Sequence, residues 1–315
     1  MEEYRAAANN VIAEVSKAIV GKEQEIQKTM MAILAGGHIL VEDMPGVGKT
    51  TMAVAFARAL GLVEKRVQFT PDVLPSDLTG FTIYKKELGK FAYQPGAVMC
   101  NLLLADEINR TSPKTQSALL EVMEEKQVTV DGITRKTGEP FVVIATQNPS
   151  GSAGTQLLPE SQMDRFMICL KMGYPTVKEE AEILKRNQLG RATEQVGNVI
   201  QAEALIAIQQ VVEKIYVHDR VYLYIAQLAK ATREKKEIEM GMSPRGTIAL
   251  CKMAKAGAFI KGRDYVIPED VKMVFADVAA HRMVLTTKAR VGHIRMEDLL
   301  QEILEEVETP ALKRR

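Results

Sequence analysis

Residues 39–51, ILVEDMPGVGKTT, constrain this chain more than any other stretch. An apolar run typical of a buried strand leads into a loop with two glycines, and a helical pattern follows at once. Glycines let backbone N–H groups approach phosphate oxygens, and a helix N-terminus, a lysine and a threonine hydroxyl complete such a site. We interpret the loop as a phosphate-binding site. The alternative is an ordinary strand, turn and helix with an incidental Gly-Lys-Thr.

The loop departs from the usual phosphate-loop pattern at its first position. The pattern G-x-x-x-x-G-K-[ST] has a glycine where this chain has Asp43, so only residues 45–50 match it. We predict that Lys49 neutralises phosphate oxygens and acts in catalysis, and that Thr50 binds Mg²⁺. The residues predicted to contact the nucleotide phosphates are Pro45, Gly46, Val47, Gly48, Lys49, Thr50 and Thr51.

The composition indicates a globular chain without an overall electrostatic preference. Lysine and arginine number 41 and aspartate and glutamate 40, so nucleic acid is not an expected partner. The cysteines, Cys100, Cys169 and Cys251, are too far apart for a zinc or disulfide framework and favour a reducing compartment. The longest uncharged run, residues 140–159, is too polar to span a bilayer, and the N-terminus lacks a signal-peptide pattern. We expect a cytoplasmic protein without a membrane span.

The apolar patterns predict two halves with different architectures. In residues 1–175, N-terminal helices precede an α/β core, and residues 69–80 are interpreted as a loop. Five apolar strands that alternate with helices predict a three-layer αβα domain with a mainly parallel sheet, the strands being residues 39–41, 66–69, 102–105, 141–145 and 166–170. Two β-hairpins interrupt this pattern, one around Leu88-Gly89 and one around Asp131-Gly132, a preferred type I′ turn.

Residues 176–315 have helical patterns and no strand pattern of comparable strength. We predict that they form an all-helical lid domain, with helices at residues 202–212, 220–232, 243–261, 268–284 and 296–307.

Polar residues at the ends of two apolar strands are the candidates for chemistry. Asp106 and Glu107 follow the most apolar strand, at the edge where open α/β sheets bind ligands. Asp106 is predicted to hold Mg²⁺ and Glu107 to polarise the water that attacks a γ-phosphate. Asn148 follows the next strand and can orient that water. The alternative for Asn148 is an Asn-Pro turn.

Two arginines are candidates for stabilising transferred phosphate. Arg165 precedes the last strand and can act on a phosphoryl group in a neighbouring subunit; the alternative is a local ion pair with Asp164 or Glu160. Arg245 lies in the first turn of a predicted helix, where a cation needs a compensating anion. Nucleotide phosphate would supply it, and we expect Arg245 to lie beside the phosphate loop. The alternative is a surface arginine.

Taken together these residues resemble an AAA+ ATPase, and more specifically the MoxR family. The resemblance covers about residues 1–300 and rests on LLLADEINRTSPKTQSALLEVMEE, on FTPDVLPSDLTG before it, and on IATQNP and LPESQMDRF after it. The resemblance implies that residues 45–50 are Walker A, that Asp106 and Glu107 are Walker B, and that Asn148 is sensor 1. It also implies an arginine finger at Arg165, sensor 2 at Arg245 and an adenine site bordered by Val20 and Gly21. The first hairpin would be the helix-2 insert and the second the pre-sensor-1 hairpin. Residues 150–154 lack the acidic residues that many relatives carry.

The resemblance also implies a function. We expect an Mg²⁺-dependent ATP hydrolase that assembles as a homo-oligomeric ring, a hexamer, in which closure of the lid through Arg245 produces subunit motion. Its expected work is chaperone-like remodelling or maturation of a protein complex, with a von Willebrand factor A domain partner.

Two alternatives to this function remain open. A helicase-type motor would need a basic pore, for which Lys85, Lys86, Lys90, Arg135 and Lys136 on the hairpins are candidates. A nucleotide-gated scaffold that does not hydrolyse ATP is the other.

Overall fold

The structure is a computed structural model that describes residues 1–44, 46–148, 158–188 and 192–311. Its α-helices are α1 (Glu2–Ala18), α2 (Glu23–Leu34), α3 (Lys49–Ala59), α4 (Pro75–Thr79), α5 (Pro113–Glu125), α6 (Glu160–Met163), α7 (Val177–Asn187), α8 (Ala202–Glu213), α9 (Asp219–Glu234), α10 (Pro244–Ile260), α11 (Pro268–Ala279), α12 (Thr287–Val291) and α13 (Met296–Glu306). Its strands are β1 (Ile39–Glu42), β2 (Glu64–Gln68), β3 (Phe81–Lys85), β4 (Lys90–Gln94), β5 (Leu102–Asp106), β6 (Gln127–Val130), β7 (Ile133–Lys136), β8 (Val142–Gln147), β9 (Ile168–Leu170), β10 (Ile238–Met240) and β11 (Val284–Leu285).

A five-stranded parallel sheet forms the centre of the first half. Its strand order is β2-β5-β8-β1-β9, and every neighbouring pair is parallel. All five strands therefore end at the same edge, the carboxyl edge, and begin at the opposite one, the amino edge. This confirms the predicted αβα core, because parallel neighbours require crossover connections that place helices on the faces of the sheet.

Alternate residues of each strand face two different hydrophobic clusters, as the period of a strand requires. Ile39 and Val41 face a cluster that includes residues of α1, α2 and α3, whereas Leu40 faces a cluster built with α5. The first cluster continues without a break into α8, α9, α10, α11 and α13. The two halves thus share one core, and the boundary at residue 175 stays a prediction.

Both predicted hairpins are present and antiparallel. Asp131 and Gly132 have φ values of 52° and 75°, which is the left-handed conformation that a type I′ turn needs. The first hairpin is closed by a 3₁₀ turn at Lys86–Leu88, followed by Gly89 with a φ of 61°.

Three details of the predicted secondary structure are wrong. Residues 69–80 are not all loop, because Pro75 begins α4 and the Asp77 carboxylate accepts a hydrogen bond from Leu74 N at 2.8 Å. The helix predicted at residues 268–284 ends at Ala279, and β11 follows. The second half is not wholly helical either, since β10 and β11 pair. Elements of two to five residues are too short to produce a periodic pattern.

His38, just before β1, joins three elements at the amino edge of the sheet. Its Nε2 donates to Met123 O at 2.9 Å, and its Nδ1 accepts from Val143 N at 3.0 Å. Only the neutral imidazole can accept and donate in this way. Complete burial lowers the pKa of His38 to about 4 from its ordinary 6.5.

We predict that His38 makes the fold sensitive to acid. The unfolded chain takes up the proton first, so the stability that His38 contributes is present above pH 6.5 and is lost as the pH falls towards 4. The loss is on the order of 3 kcal/mol. Urea titrations at pH 7 and pH 4.5 should show a smaller acid loss for His38→Gln than for the unchanged chain. Burial also lowers the pKa of His281. Part of the acid loss should therefore remain in His38→Gln.

The exposed His218 provides a control for this prediction. His218→Asn should preserve the full acid loss, because asparagine can take over the cap that His218 provides at α9. An unchanged pH dependence in His38→Gln would contradict the assignment.

Candidate active site

The phosphate loop connects β1 to α3 at the carboxyl edge of the sheet. Gly46 and Gly48 have φ values of 91° and 92°, a conformation that favours glycine, and α3 begins immediately afterwards at Lys49. A Cβ atom at Gly46 would meet nothing, so its backbone conformation is what requires glycine there. Pro45 lies outside the described residues.

Asp43, which replaces the usual first glycine, holds the loop in place. Its main-chain O accepts a hydrogen bond from Lys49 Nζ at 2.7 Å. Its carboxylate accepts from Met44 N at 2.8 Å and from Gly173 N at 2.5 Å, just beyond β9. The substitution therefore connects the loop to the adjacent edge strand.

A cavity of about 470 Å³ lies beside the phosphate loop. Of the residues predicted to bind nucleotide, it is lined by Val20, Gly46, Val47, Gly48, Thr50 and Thr51. Residues after the sheet, among them Pro175, Ile183 and Arg186 of the α7 region, close its other side. Gly21 packs against Glu179 of α7, where a Cβ atom would lie 2.0 Å from the carboxylate.

Asp106 and Glu107 lie at the end of β5, at the same edge as the phosphate loop. The Asp106 carboxylate is nearly buried and accepts hydrogen bonds from Arg66 Nε at 2.8 Å and from Thr146 Oγ1 at 3.2 Å. Glu107 has a φ of 56°, and its N–H donates to the same Thr146 oxygen at 2.9 Å. Arg110 donates to the Glu107 carboxylate at 2.7 Å. The buried threonine on β8 thus positions both acids.

Lys49 lies within the electrostatic range of these acids. Burial lowers the pKa of Lys49, and the negative charges of Asp43, Asp106 and Glu107 act in the opposite direction. Because β1 and β5 both run parallel to β8, the lysine of the loop and the acids of β5 lie at the same edge of the sheet.

Asn148 follows β8 at this edge, next to the acids. Its main-chain O accepts from Asn109 Nδ2 at 3.2 Å, and Asn109 is buried. Asn148 is therefore positioned by the segment that also contains Glu107. The loop at residues 150–154 lies outside the described residues.

Arg165 and Arg245 lie at the opposite, amino edge of the sheet. Arg165 lies just before β9. Met167, between the two, donates from its N–H to the main-chain O of His38, just before β1, at 2.7 Å. Both arginines form ion pairs with Glu124 at the end of α5. Strands of four to six residues separate the two edges by roughly 13 to 20 Å.

The prediction that Arg245 lies beside the phosphate loop of its own chain is therefore wrong. The anion that compensates this cation at the start of α10 is the Glu124 carboxylate, at 2.5 Å. The ion pair considered for Arg165 also has a different partner from Asp164 or Glu160. Packing of α10 against α2 and α11, which a sequence pattern cannot reveal, decides this placement.

Several residues that build the side-chain groups at the carboxyl and amino edges were not among the predicted site residues. Thr146 could have been found as a polar residue in an otherwise apolar strand pattern. Arg66, Asn109 and Arg110 lie close to recognised motifs but gave no separate signal. Glu124, in a charged helix end, gave none.

Similarity to known proteins agrees with this geometry. A family model described as "ATPase family associated with various cellular activities" matches residues 38–168, and an AAA lid domain model matches residues 230–303. Chaperone MoxR1 of Mycobacterium tuberculosis is 39% identical over 308 residues, which cover 95% of this chain and 81% of that protein. This chain belongs to the MoxR family of AAA ATPases.

Two other relatives match nearly the whole length of this MoxR-family chain. YeaC of Bacillus subtilis is 44% identical over 309 residues, covering 98% of this chain and 97% of that protein. A crystal structure of a protein from Cytophaga hutchinsonii has a TM-score of 0.92 and 39% identity, and covers 98% of this chain and 96% of that one. Family and fold class are thereby confirmed. Within the described ranges, no helix is long and apolar enough to cross a bilayer.

We predict that removing the Thr146 hydroxyl destabilises the carboxyl edge. Thr146→Val leaves the Glu107 N–H without its side-chain acceptor and leaves Arg66 as the remaining side-chain donor to Asp106, which should cost about 1 to 3 kcal/mol of unfolding free energy. Urea denaturation measures the loss.

Thr146→Ser keeps the hydroxyl and is the matched control. It should cost about 0.8 kcal/mol, the value of one buried methyl group. Equal stability of the valine variant and the unchanged chain would show that these hydrogen bonds contribute nothing.

Proposed function

We propose that this MoxR-family protein hydrolyses ATP to ADP and phosphate. The observation that carries the proposal is geometric: the loop after β1, which leads to Lys49, and the acids Asp106 and Glu107 at the end of β5 lie at one edge of the parallel sheet. A cavity of about 470 Å³ lies beside that loop. Gly46, Gly48 and Lys49 would bind the phosphates, and Val20 would border the base.

The oxygen donors at this edge suit a magnesium ion. Mg²⁺ prefers hard oxygen ligands, which the Asp106 carboxylate and the Thr50 hydroxyl supply. The Asp106 carboxylate already attracts a cation, the Arg66 guanidinium, at 2.7 Å. The Arg66 side chain is 55% exposed, so it can turn towards solvent when a metal ion takes its place beside Asp106. When bound, Mg²⁺ would neutralise charge on the β- and γ-phosphates.

The chemical step assigns separate roles to the surrounding side chains. A water oxygen forms a bond to the γ-phosphorus while the bond from that phosphorus to the bridging oxygen breaks, and ADP keeps the electron pair. Glu107 accepts the proton of the water once it turns away from Arg110. Asn148 orients the water, and Lys49 holds the γ-phosphate.

The position of the two arginines favours an assembly in which neighbouring chains share each site. Arg165 and Arg245 lie too far from their own phosphate loop but face outwards at the amino edge. Placing this edge against the carboxyl edge of a second copy gives a head-to-tail contact, which closes into a ring if the rotation permits. By family resemblance we propose a hexamer.

The proposed work of this ring is chaperone-like remodelling or maturation of a protein complex. The name of the related Chaperone MoxR1 supports it. The first hairpin also presents Tyr84 and Phe91 to solvent, stacked edge to face with ring centres 5.3 Å apart. Such an aromatic pair suits contact with a polypeptide. A partner with a von Willebrand factor A domain fits the same proposal.

We predict that Glu107→Gln binds ATP but does not turn it over. The isosteric amide keeps the local packing and cannot accept the proton, so phosphate release should fall by about 100- to 10,000-fold. Phosphate release and binding of a fluorescent ATP analogue measure the two properties. Full hydrolysis by this variant would remove Glu107 from the proposed role.

Glu87→Gln is the control for this prediction. Glu87 is exposed at the tip of the first hairpin, so both properties should remain unchanged. Adding DNA to the same assay tests the helicase alternative: stimulation that falls steeply with salt would favour it. Absence of hydrolysis by the unchanged chain at all protein concentrations would favour the nucleotide-gated scaffold.

We predict that Arg165→Ala hydrolyses ATP about 1,000-fold more slowly, by loss of an arginine finger. Binding of ATP should change little, because the phosphate loop lies at the other edge. Turnover measured against protein concentration, with sedimentation to verify assembly, checks this result. Arg290→Ala serves as a control, because it removes an arginine that is exposed on α12. Normal turnover by an assembled Arg165→Ala variant would leave that arginine with only its ion pair to Glu124.

A further inference from the structure

One carboxylate at the amino edge holds both arginines at once. Glu124 Oε1 accepts a hydrogen bond from Arg245 Nη2 at 2.5 Å, and Glu124 Oε2 accepts one from Arg165 Nη1. Each oxygen thus binds one guanidinium. Leu120 O, one turn earlier on α5, accepts a further hydrogen bond from Arg165 Nη1 at 3.1 Å.

A second carboxylate connects the two segments that carry the arginines. Asp164, immediately before Arg165, accepts hydrogen bonds from the Ser243 hydroxyl at 2.8 and 3.0 Å and from Arg282 Nε at 2.9 Å. Ser243 caps α10, and Arg245 lies in the first turn of that helix. The main chains of both arginines are therefore held at a fixed separation.

Cations outnumber anions along the wall of one cavity beside this group. A cavity of about 170 Å³ is lined by polar residues that include Lys126, Asp164, Arg165, Arg245, Lys252 and Arg282. Burial lowers the pKa of Arg282 to about 10; Asp164 acts against this lowering and the nearby charge of Arg245 adds to it. The group can therefore accept a further anion.

Both guanidiniums keep free donors while they are bound to Glu124. An arginine has more N–H groups than these contacts use, and the side chains of Arg245 and Arg165 are 45% and 32% exposed. A carboxylate between them also screens the repulsion of the two cations. Glu124 can thus fix their orientation without blocking their approach to a phosphate.

We infer that Glu124 is a positioning residue that presents Arg165 and Arg245 as one unit to the triphosphate bound by a second copy of this chain. The inference rests on the proposed ATPase function and adds to it. Glu124 does not contact the nucleotide. It sets the distance and direction of the two guanidiniums that do, so the second copy meets a preformed pair.

The first test is Glu124→Gln, which keeps the shape and removes the charge. In the observed geometry each Glu124 oxygen accepts from one arginine, and the carboxamide replaces one of these oxygens by an NH2 group, which cannot accept from a guanidinium. Turnover should therefore fall about 10- to 100-fold. The affinity for a fluorescent ATP analogue should stay within about twofold, because the cavity at the phosphate loop lies at the other edge. Glu125→Gln is the matched control, since Glu125 is exposed and forms no ion pair within the described residues.

The second test separates action on a neighbour from action within the chain. Glu124→Gln keeps an intact phosphate-loop site but has an arginine pair that is no longer held in place. Glu107→Gln has an impaired site but keeps the arginine pair held by Glu124. In mixed assemblies the arginines of Glu107→Gln chains face the sites of Glu124→Gln chains. An equal mixture should therefore hydrolyse ATP several-fold faster than the mean of the two separate proteins.

The outcomes distinguish this inference from the proposed function. An unchanged chain that does not hydrolyse ATP would refute the ATPase proposal and the inference with it. Hydrolysis by the unchanged chain, with normal turnover in Glu124→Gln, would refute the inference alone. So would impaired turnover without recovery in the mixture, because Glu124 would then act only within its own chain.

Discussion

The common direction of the five strands controls the rest of the molecule. Parallel strands end at one edge, so the loop after β1, the acids after β5 and the asparagine after β8 meet there without further design. The segments that precede the strands lie at the other edge, and Arg165 is among them because it precedes β9. A single chain therefore carries the residues proposed to bind phosphate and the two arginines proposed to stabilise its charge at opposite edges of the sheet. The geometry favours a site that two copies complete together.

Much of this arrangement could be predicted because its signals are local. The phosphate loop, the buried strands and the Asp131-Gly132 turn each follow from residues adjacent in sequence. The ion pairs could not be predicted in the same way. The contacts from Arg66 to Asp106, from Arg165 to Glu124 and from Arg245 to Glu124 join residues 40, 41 and 121 positions apart. Only the packing of helices and strands decides which of many charged side chains meet.

The charged groups of the carboxyl edge form ion pairs and hydrogen bonds with one another. Lys49 donates to Asp43 O, Arg66 to Asp106, and Arg110 to Glu107. The charges that we propose to bind phosphate, metal or water are thus paired within the chain, whereas an unpaired charge would be costly at a nearly buried position. The partners Arg66 and Arg110 are about half exposed, so each can turn towards solvent when a ligand takes its place.

The shared core changes how nucleotide binding can produce motion. The helical half continues the hydrophobic cluster of α1, α2 and α3, and Asp164 ties α10 to the segment before β9 through Ser243 and Arg282. Closing the helical half over its own phosphate loop would disrupt the shared cluster and the Asp164 contacts. It would also not carry Arg245 from the amino edge to the carboxyl edge. Motion within a single chain is therefore opposed by its packing. In the proposed ring, a nucleotide that attracts the arginine pair of a second copy would change the contact between two copies and leave this packing in place. In the proposed ring, the lid closure expected from the sequence would therefore take the form of movement between neighbouring copies.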